Sequence, residues 1–364
     1  MQLHRCTLIS LPVLTLFVLQ AVCAATEPVI ERTQIAEGIF QFHSLRDGYV
    51  PNANSVAVIT DSDVLVYDTY TRPSYARIVL AELRKLTDKP IRYVVNSHWH
   101  PDHWSGNEVY AEAFPGVEIV ATEETRQHML NAANAWPAMF KADLAHDEAD
   151  FARESRALGK QAGAQPELQK KREYIESRRA FTAELAGVHR TYPTLTFVDR
   201  LIIRHGGREF QFFSMTGDAT GTTVLYLPKE RILLTGDMFA YPEPYFTPPL
   251  SVHVRNLQAL DAFDVDVIIP GHGPAWRNKD YLHREAQLLQ AISSQVQQAE
   301  QRGLVTLAEV EKSVDVDGIL AQFIRDDKAL KDFEKYLRLD VKLMIRNAYR
   351  EGRDGEEFNY DFTY

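Results

Sequence analysis

Asn96-Ser97-His98-Trp99-His100-Pro101-Asp102-His103-Trp104-Ser105-Gly106-Asn107 is the stretch on which the reading of this chain turns. Three histidines and one aspartate fall between His98 and His103, directly after the apolar run Ile91–Val95. Neutral imidazole and carboxylate are the ligand types of zinc and similar divalent ions. The pattern His-x-His-x-Asp-His arises by chance in roughly one chain of this length per thousand, so scattered loop histidines do not explain it.

Three further donors occupy the same kind of position. Asp237 follows Ile232-Leu233-Leu234 through Thr235-Gly236, and His272 follows Val267-Ile268-Ile269 through Pro270-Gly271. Asp218 follows Phe210–Phe213 through Ser214-Met215-Thr216-Gly217. Alone, each aspartate reads as a turn residue; beside the histidine cluster each reads as a ligand. Strand ends on a rigid sheet can converge on one point, and glycine lets a turn approach it closely.

Outward from these motifs, short apolar runs separated by turn residues predict hairpins from Val29 to Thr69, with strands at Ile39–Phe42, Ser55–Thr60 and Val64–Tyr67. Further strands are expected at Ile91–Val95, Val117–Ala121, Leu201–Arg204, Phe210–Phe213, Thr223–Leu227, Arg231–Leu234 and Val265–Ile269. Helical spacing marks Arg77–Leu86, Gly106–Phe114, Asn256–Phe263, Tyr281–Arg302, Leu307–Val314 and Ala329–Tyr349. Residues 122–192 are rich in Ala, Glu, Gln, Lys and Arg and predict an inserted group of helices, either a solvated excursion or a lid over the site. Strands and helices alternate in both halves, which predicts an α/β sandwich with two sheets inside and helices outside. The expected divisions are 1–24, a main domain over 25–278 carrying the insertion, and a helical extension over 279–364. The apolar positions Leu288, Leu289 and Ile292 of that extension pack on the sandwich or form a homo-oligomer interface.

The 364 residues are 45% hydrophobic and 25% charged, an ordinary globular composition. A formal charge of −10, from 40 basic and 50 acidic residues, argues against a nucleic-acid partner. Arg5, the apolar stretch Leu8–Leu19 and Val22-Cys23-Ala24 read as a secretory signal peptide, too short in its apolar run to span a bilayer. The expectation is therefore a periplasmic or secreted protein with no stable membrane anchor after cleavage. Both cysteines, Cys6 and Cys23, lie in that leader, so the mature chain offers no disulfide, thiolate nucleophile or cysteine ligand.

His98-Trp99-His100-Pro101-Asp102-His103, Thr235-Gly236-Asp237 and Gly271-His272-Gly273 together resemble the metallo-β-lactamase-fold hydrolase superfamily. Asn52–Ile59 and Val66-Tyr67-Asp68-Thr69 are similar to its first strands, and the likeness runs from about Ile35 to Ala275 outside the insertion. The resemblance implies an αββα sandwich with a metal site at one edge and a small-molecule substrate. By that likeness His98 and His100 hold a first metal, Asp102, His103 and His272 a second, and Asp237 bridges them. The implied cofactor is zinc, two ions per chain, with iron or manganese as alternatives.

One position departs from the pattern. Asp218, in Asp218-Ala219-Thr220-Gly221-Thr222-Thr223-Val224-Leu225-Tyr226-Leu227-Pro228, stands where the family places a histidine. A carboxylate can coordinate, but it makes the centre less positive and favours a harder metal. The other outcome is a lost first site and a single ion at the second.

The chemistry implied is hydrolysis by a metal-activated hydroxide of an ester, an amide such as a β-lactam, a lactone, a thioester, or a phosphate or sulfate ester. Asp102 would direct the attacking water. A mononuclear iron enzyme resembling sulfur dioxygenases and a non-catalytic metal-binding accessory protein are the alternatives. Asp68 reads equally as a hydrogen-bond partner of a ligand imidazole or as a turn residue. Trp99, Trp104, Tyr241, Tyr245 and Phe246 read equally as cleft lining or as packing. His43, His128, His146, His189 and His205 lack ligand spacing, and His253 stands out only by following the Pro-rich loop near Asp237.

Overall fold

The computed structural model describes residues 30–44, 53–132, 135–158, 163–244, 249–351 and 353. The leader predicted over 1–24, both cysteines, Tyr245, Phe246 and the chain's last eleven residues lie outside them.

The first sheet takes strands β1 (Ile30–Ala36), β2 (Ile39–Ser44), β3 (Ser55–Ile59), β4 (Val64–Tyr67), β5 (Ile91–Val95), β6 (Glu118–Thr122) and β7 (Leu195–Phe197) in chain order. It is antiparallel from β1 to β4 and parallel from β4 to β7. The second sheet has the order β12-β11-β10-β9-β8, from β8 (Arg200–His205), β9 (Arg208–Met215), β10 (Thr222–Leu227), β11 (Ile232–Leu234) and β12 (Val267–Ile269). Only β11 and β12 run parallel there.

The period of two along each central strand builds the layers. Leu65 and Tyr67 of β4, Val95 of β5, Leu225 and Leu227 of β10, Leu234 of β11 and Ile269 of β12 meet between the sheets. Their neighbours Val64, Val66 and Val94 face outward, against Tyr75, Val79 and Leu83 of α1 (Pro73–Arg84). Val224, Leu233 and Ile268 face outward on the other side, toward the later helices. Buried on both faces, β4, β11 and β12 therefore read as unbroken apolar runs. The result is the α/β, αββα sandwich expected.

The short helices α2 (Pro101–Trp104) and α3 (Asn107–Ala113) follow β5. Between β6 and β7 come α4 (Glu123–Ala132), α5 (Ala135–Leu158) and α6 (Gln165–Ala186). Phe140, Phe181 and Leu185 form a small core of their own between α5 and α6. The end of α6 is fixed to the body by Glu184, which accepts from Arg72 Nε at 2.7 Å and from the Ser74 amide at 2.7 Å.

Helix α7 (Leu250–Asp261) precedes β12, and α8 (Asp280–Gln301), α9 (Leu307–Ser313), α10 (Val316–Ile324) and α11 (Lys328–Arg350) follow it. Leu288, Leu289 and Ile292 of α8 are buried in one cluster with Leu257, Leu337, Val341 and Met344, continuous with the second sheet. These apolar positions are thus covered within the chain. No helix among the described residues is long and apolar enough to cross a membrane.

Three elements escape the sequence pattern. Strand β7 has only three residues and α2 only four. Helix α10 goes unread although it does carry a stripe, Val316, Ile319, Leu320, Phe323 and Ile324, opposite the exposed Asp317, Ala321 and Gln322. Two helices also start earlier than expected. Helix α1 begins at Pro73, whose fixed φ suits a first helical position, and α7 begins directly after Pro249.

Candidate metal centre

All seven expected ligand residues meet at one edge of the sandwich. One ligand atom from each of His98, His100, Asp218 and Asp237 falls within a 4.8 Å group, and Asp102, His103 and His272 form a second such group. Asp237 Oδ2 lies between them, 3.3 Å from His103 Nε2, 3.3 Å from His272 Nε2 and 3.8 Å from His98 Nε2. Asp102 Oδ2 is 3.2 Å from His272 Nε2 and 3.4 Å from His103 Nε2. Asp218 Oδ2 is 2.9 Å from His100 Nδ1 and 3.9 Å from His98 Nε2.

Topology explains the convergence. The histidine cluster leaves the end of β5, Asp237 the end of β11 and His272 the end of β12, which runs parallel to β11. Asp218 sits in the turn between β9 and β10. The two sheets are joined at this edge: the Thr223 amide donates to Ser97 O at 2.6 Å, and the Tyr67 hydroxyl donates to Thr223 O at 2.6 Å. Two glycines make room. Gly236 has φ 53°, and a Cβ on Gly271 would stand 1.8 Å from Asp237 Oδ1.

The donors fit divalent metal ions. His98 Nε2, His103 Nε2 and Asp237 Oδ1 are buried and make no hydrogen bond within the protein, an expensive arrangement for polar atoms unless something else engages them. The opposite nitrogens are held. His103 Nδ1 donates to Asp68 Oδ2 at 2.8 Å, and Ser97 Oγ lies 3.0 Å from both His98 Nδ1 and His103 Nδ1. Such contacts leave Nε2 free for a metal. Asp68 satisfies both readings of the sequence. Its φ of 61° makes it a turn residue at the end of β4, and its carboxylate takes the imidazole together with the Ser97 amide at 2.7 Å.

Electrostatics follow from burying so many charges together. Burial opposes a proton on His103, but Asp237, Asp102 and Asp68 outweigh it and hold the imidazolium well above its ordinary range. The same balance raises His272 to about 10, with Asp237 the leading partner. His98, buried beside two other histidines, goes the other way and stays neutral. Burial also penalises charge on Asp237, yet His272 and His103 keep its carboxyl well below normal. Metal ions would take the place of these protons.

Sequence reasoning missed Ser97 and Trp136. The Trp136 ring on α5 lies 5.5 Å from that of His100 and 5.8 Å from that of Trp99. An aromatic inside a helix-rich stretch gives no signal of its target. His253, singled out only by position, is buried with Nε2 3.1 Å from Met238 O, so it holds the turn of Asp237 from behind.

The aromatic expectations divide. Trp99 is buried, against His100 on one side and stacked on His128 at 5.4 Å on the other. Trp104 is buried too, its Nε1 donating to Trp99 O at 2.9 Å, with one edge on a surface groove. Tyr241 packs on Trp276 and Tyr281 and donates to Asp327 at 2.9 Å; it is packing, not cleft lining.

Comparison with known proteins agrees with this geometry. A family model described as the metallo-beta-lactamase superfamily matches residues 48–272. A linear primary-alkylsulfatase of Pseudomonas sp. is 29% identical over 223 residues, covering 58% of this chain and 39% of that protein. The flavo-diiron protein FprA2 of Clostridium acetobutylicum is 24% identical over 211 residues, covering 57% of this chain and 45% of its own length. The solved structure of the stereoselective inverting sec-alkylsulfatase Pisa1 from Pseudomonas sp. superposes with a TM-score of 0.59 at 19% identity, over 91% of this chain and 51% of the other. This chain spans less than half the length of the curated relatives it matches.

Proposed function

This chain belongs to the metallo-β-lactamase superfamily, and from that membership and the donor geometry we propose that it is a metal-dependent hydrolase of organic sulfate esters. The observation that carries the hydrolase reading is the position of Asp237 Oδ2, shared between two groups of donors. His98, His100 and Asp218 would hold one ion, Asp102, His103 and His272 another, with Asp237 common to both. Ions so bound supply Lewis acidity and activate water at neutral pH.

The chain's own residues do the rest. Asp68 and Ser97 fix the imidazoles. Asp102, more open to solvent than Asp237, is placed to accept a hydrogen bond from the attacking water and direct it. Sulfate esters are favoured because the alkylsulfatases are similar in sequence and in fold. Charge supports the choice. An aspartate at 218 in place of a histidine lowers the charge of the centre by one, which disfavours a dianionic phosphate monoester more than a monoanionic sulfate ester. The leader-like start of the sequence supports export to the periplasm or beyond the cell.

The resemblance to a flavo-diiron protein favours a second reading, a redox centre holding iron. Metal analysis of the purified protein separates the two. Two zinc ions and release of sulfate from alkyl or nitrophenyl sulfates are expected. Iron with oxygen consumption, and no hydrolysis of sulfate esters, nitrocefin, lactones, thioesters or phosphodiesters, would overturn the hydrolase.

A further inference from the structure

His272 has little regular structure of its own to hold it. It follows β12, a three-residue strand at the edge of the second sheet, and Gly271 and Gly273 flank it. Glycine leaves a backbone freer than other residues do, so the local chain does not fix the direction of this imidazole. Its Nε2 nevertheless sits 3.2 Å from Asp102 Oδ2 and 3.3 Å from Asp237 Oδ2.

The restraint comes from the other sheet. Asn54, buried directly before β3, meets the carbonyls on both sides of His272. Its amide donates to Gly271 O at 2.6 Å, and its Nδ2 donates to Pro270 O and to Gly273 O, each at 2.8 Å. Gln41 Nε2 also donates to Gly273 O at 2.9 Å, and the Tyr241 amide donates to His272 O at 3.3 Å. Each carbonyl from Pro270 to Gly273 is thus engaged, as buried backbone demands, and Asn54 serves three of the four. On its other side Asn54 Oδ1 lies 2.9 Å from His43 Nδ1. With the ring as donor, that contact keeps the oxygen toward His43 and the two N–H groups toward the loop.

We propose that Asn54 is the positioning residue of His272, and that it thereby sets the affinity of the ion held by Asp102, His103 and His272. The assignment rests on the reading of these donors as a metal centre. His98 and His100 leave β5 and Asp218 the turn between β9 and β10, so the other donor group is anchored elsewhere. Its ion is indifferent to Asn54.

The test is metal uptake by the metal-free full chain, titrated with zinc against a chromophoric chelator. Asn54→Asp keeps the shape of the side chain but turns oxygen toward two carbonyls. Asn54→Ala only truncates it, which keeps the test usable if a buried aspartate prevents folding. Both are also made in Asp218→Ala, where the remaining ion is the one beside His272. That ion should bind about 10–100-fold more weakly in the Asn54 variants, the usual effect of removing the support of a ligand. The other ion should keep its affinity. In the Asp218→Ala background, cobalt(II) in place of zinc should show altered visible absorption when Asn54 is replaced, because the imidazole beside it has moved. Equal weakening of both ions, or weakening of neither, overturns the proposal. Wild type that takes up no ion would sink the metal centre along with it; wild type that binds ions no more tightly than the variants sinks the role of Asn54 alone.

Discussion

Ser97 holds several parts of the centre together without being a donor itself. Its amide serves Asp68, its carbonyl takes the Thr223 amide, and its hydroxyl lies against two imidazoles. Nothing in its residue type announces this, because the role depends on a neighbouring strand end and on the opposite sheet. The residues that converge were legible, since their chemistry and spacing along one loop stand out in the sequence. Asp68→Asn keeps the shape but removes the charge facing His103, so metal affinity should fall about 10–100-fold, read by competition with a chromophoric chelator. Asp218→Ala should lower metal content by about one ion per chain in plasma mass spectrometry. Unchanged stoichiometry would remove Asp218 from the ligand set.

Among the elements, α6 is the one fixed to the body by a single charged point, Glu184 on Arg72 and Ser74. Glu184 near its C-terminus is partly buried, which opposes its charge, yet the Ser74 amide, Arg72 and the Ser74 hydroxyl together hold the carboxyl below its ordinary value. A depressed folded value means this stabilisation is full above the unfolded pKa and is lost as pH falls through the folded one. Glu184→Gln should therefore cost about 1–3 kcal/mol at neutral pH in urea denaturation, and less below about pH 4. Faster amide exchange is expected in α6 before the sheets. The long elements were readable because periodicity needs several turns or alternations to show. Strand β7 and helix α2 are too short for that; α10 does carry a stripe, from Val316 through Ile319, Leu320 and Phe323 to Ile324, but over only nine residues.

Across the molecule, helices α7 to α11 share one core with the second sheet, so the C-terminal extension contributes to stability throughout. One of its residues works against it. Asp340 of α11 is largely buried with Glu243 nearby, and its carboxyl is pushed up to about 7. A raised folded value means stability declines as pH climbs from about 4 to 7 and levels off above. Asp340→Asn should raise the melting temperature by a few degrees at pH 8 and change it little near pH 4. Chelation should lower the melting temperature of the whole domain, because the donors come from both sheets and bound ions favour only the folded state. Layer order and the donors that gather at its edge were legible from alternating apolar strands and from the motifs. The place of Trp136 beside His100 was not, since the two meet only after the inserted helices have packed. The separation of the donors along the chain also sets a schedule. His98, His100 and His103 leave the ribosome well before Asp237 and His272, whose places exist only once β12 has settled beside β11. An ion met during translation finds a few imidazoles on an unfinished protein, and complete loading waits until the last strand has been synthesised.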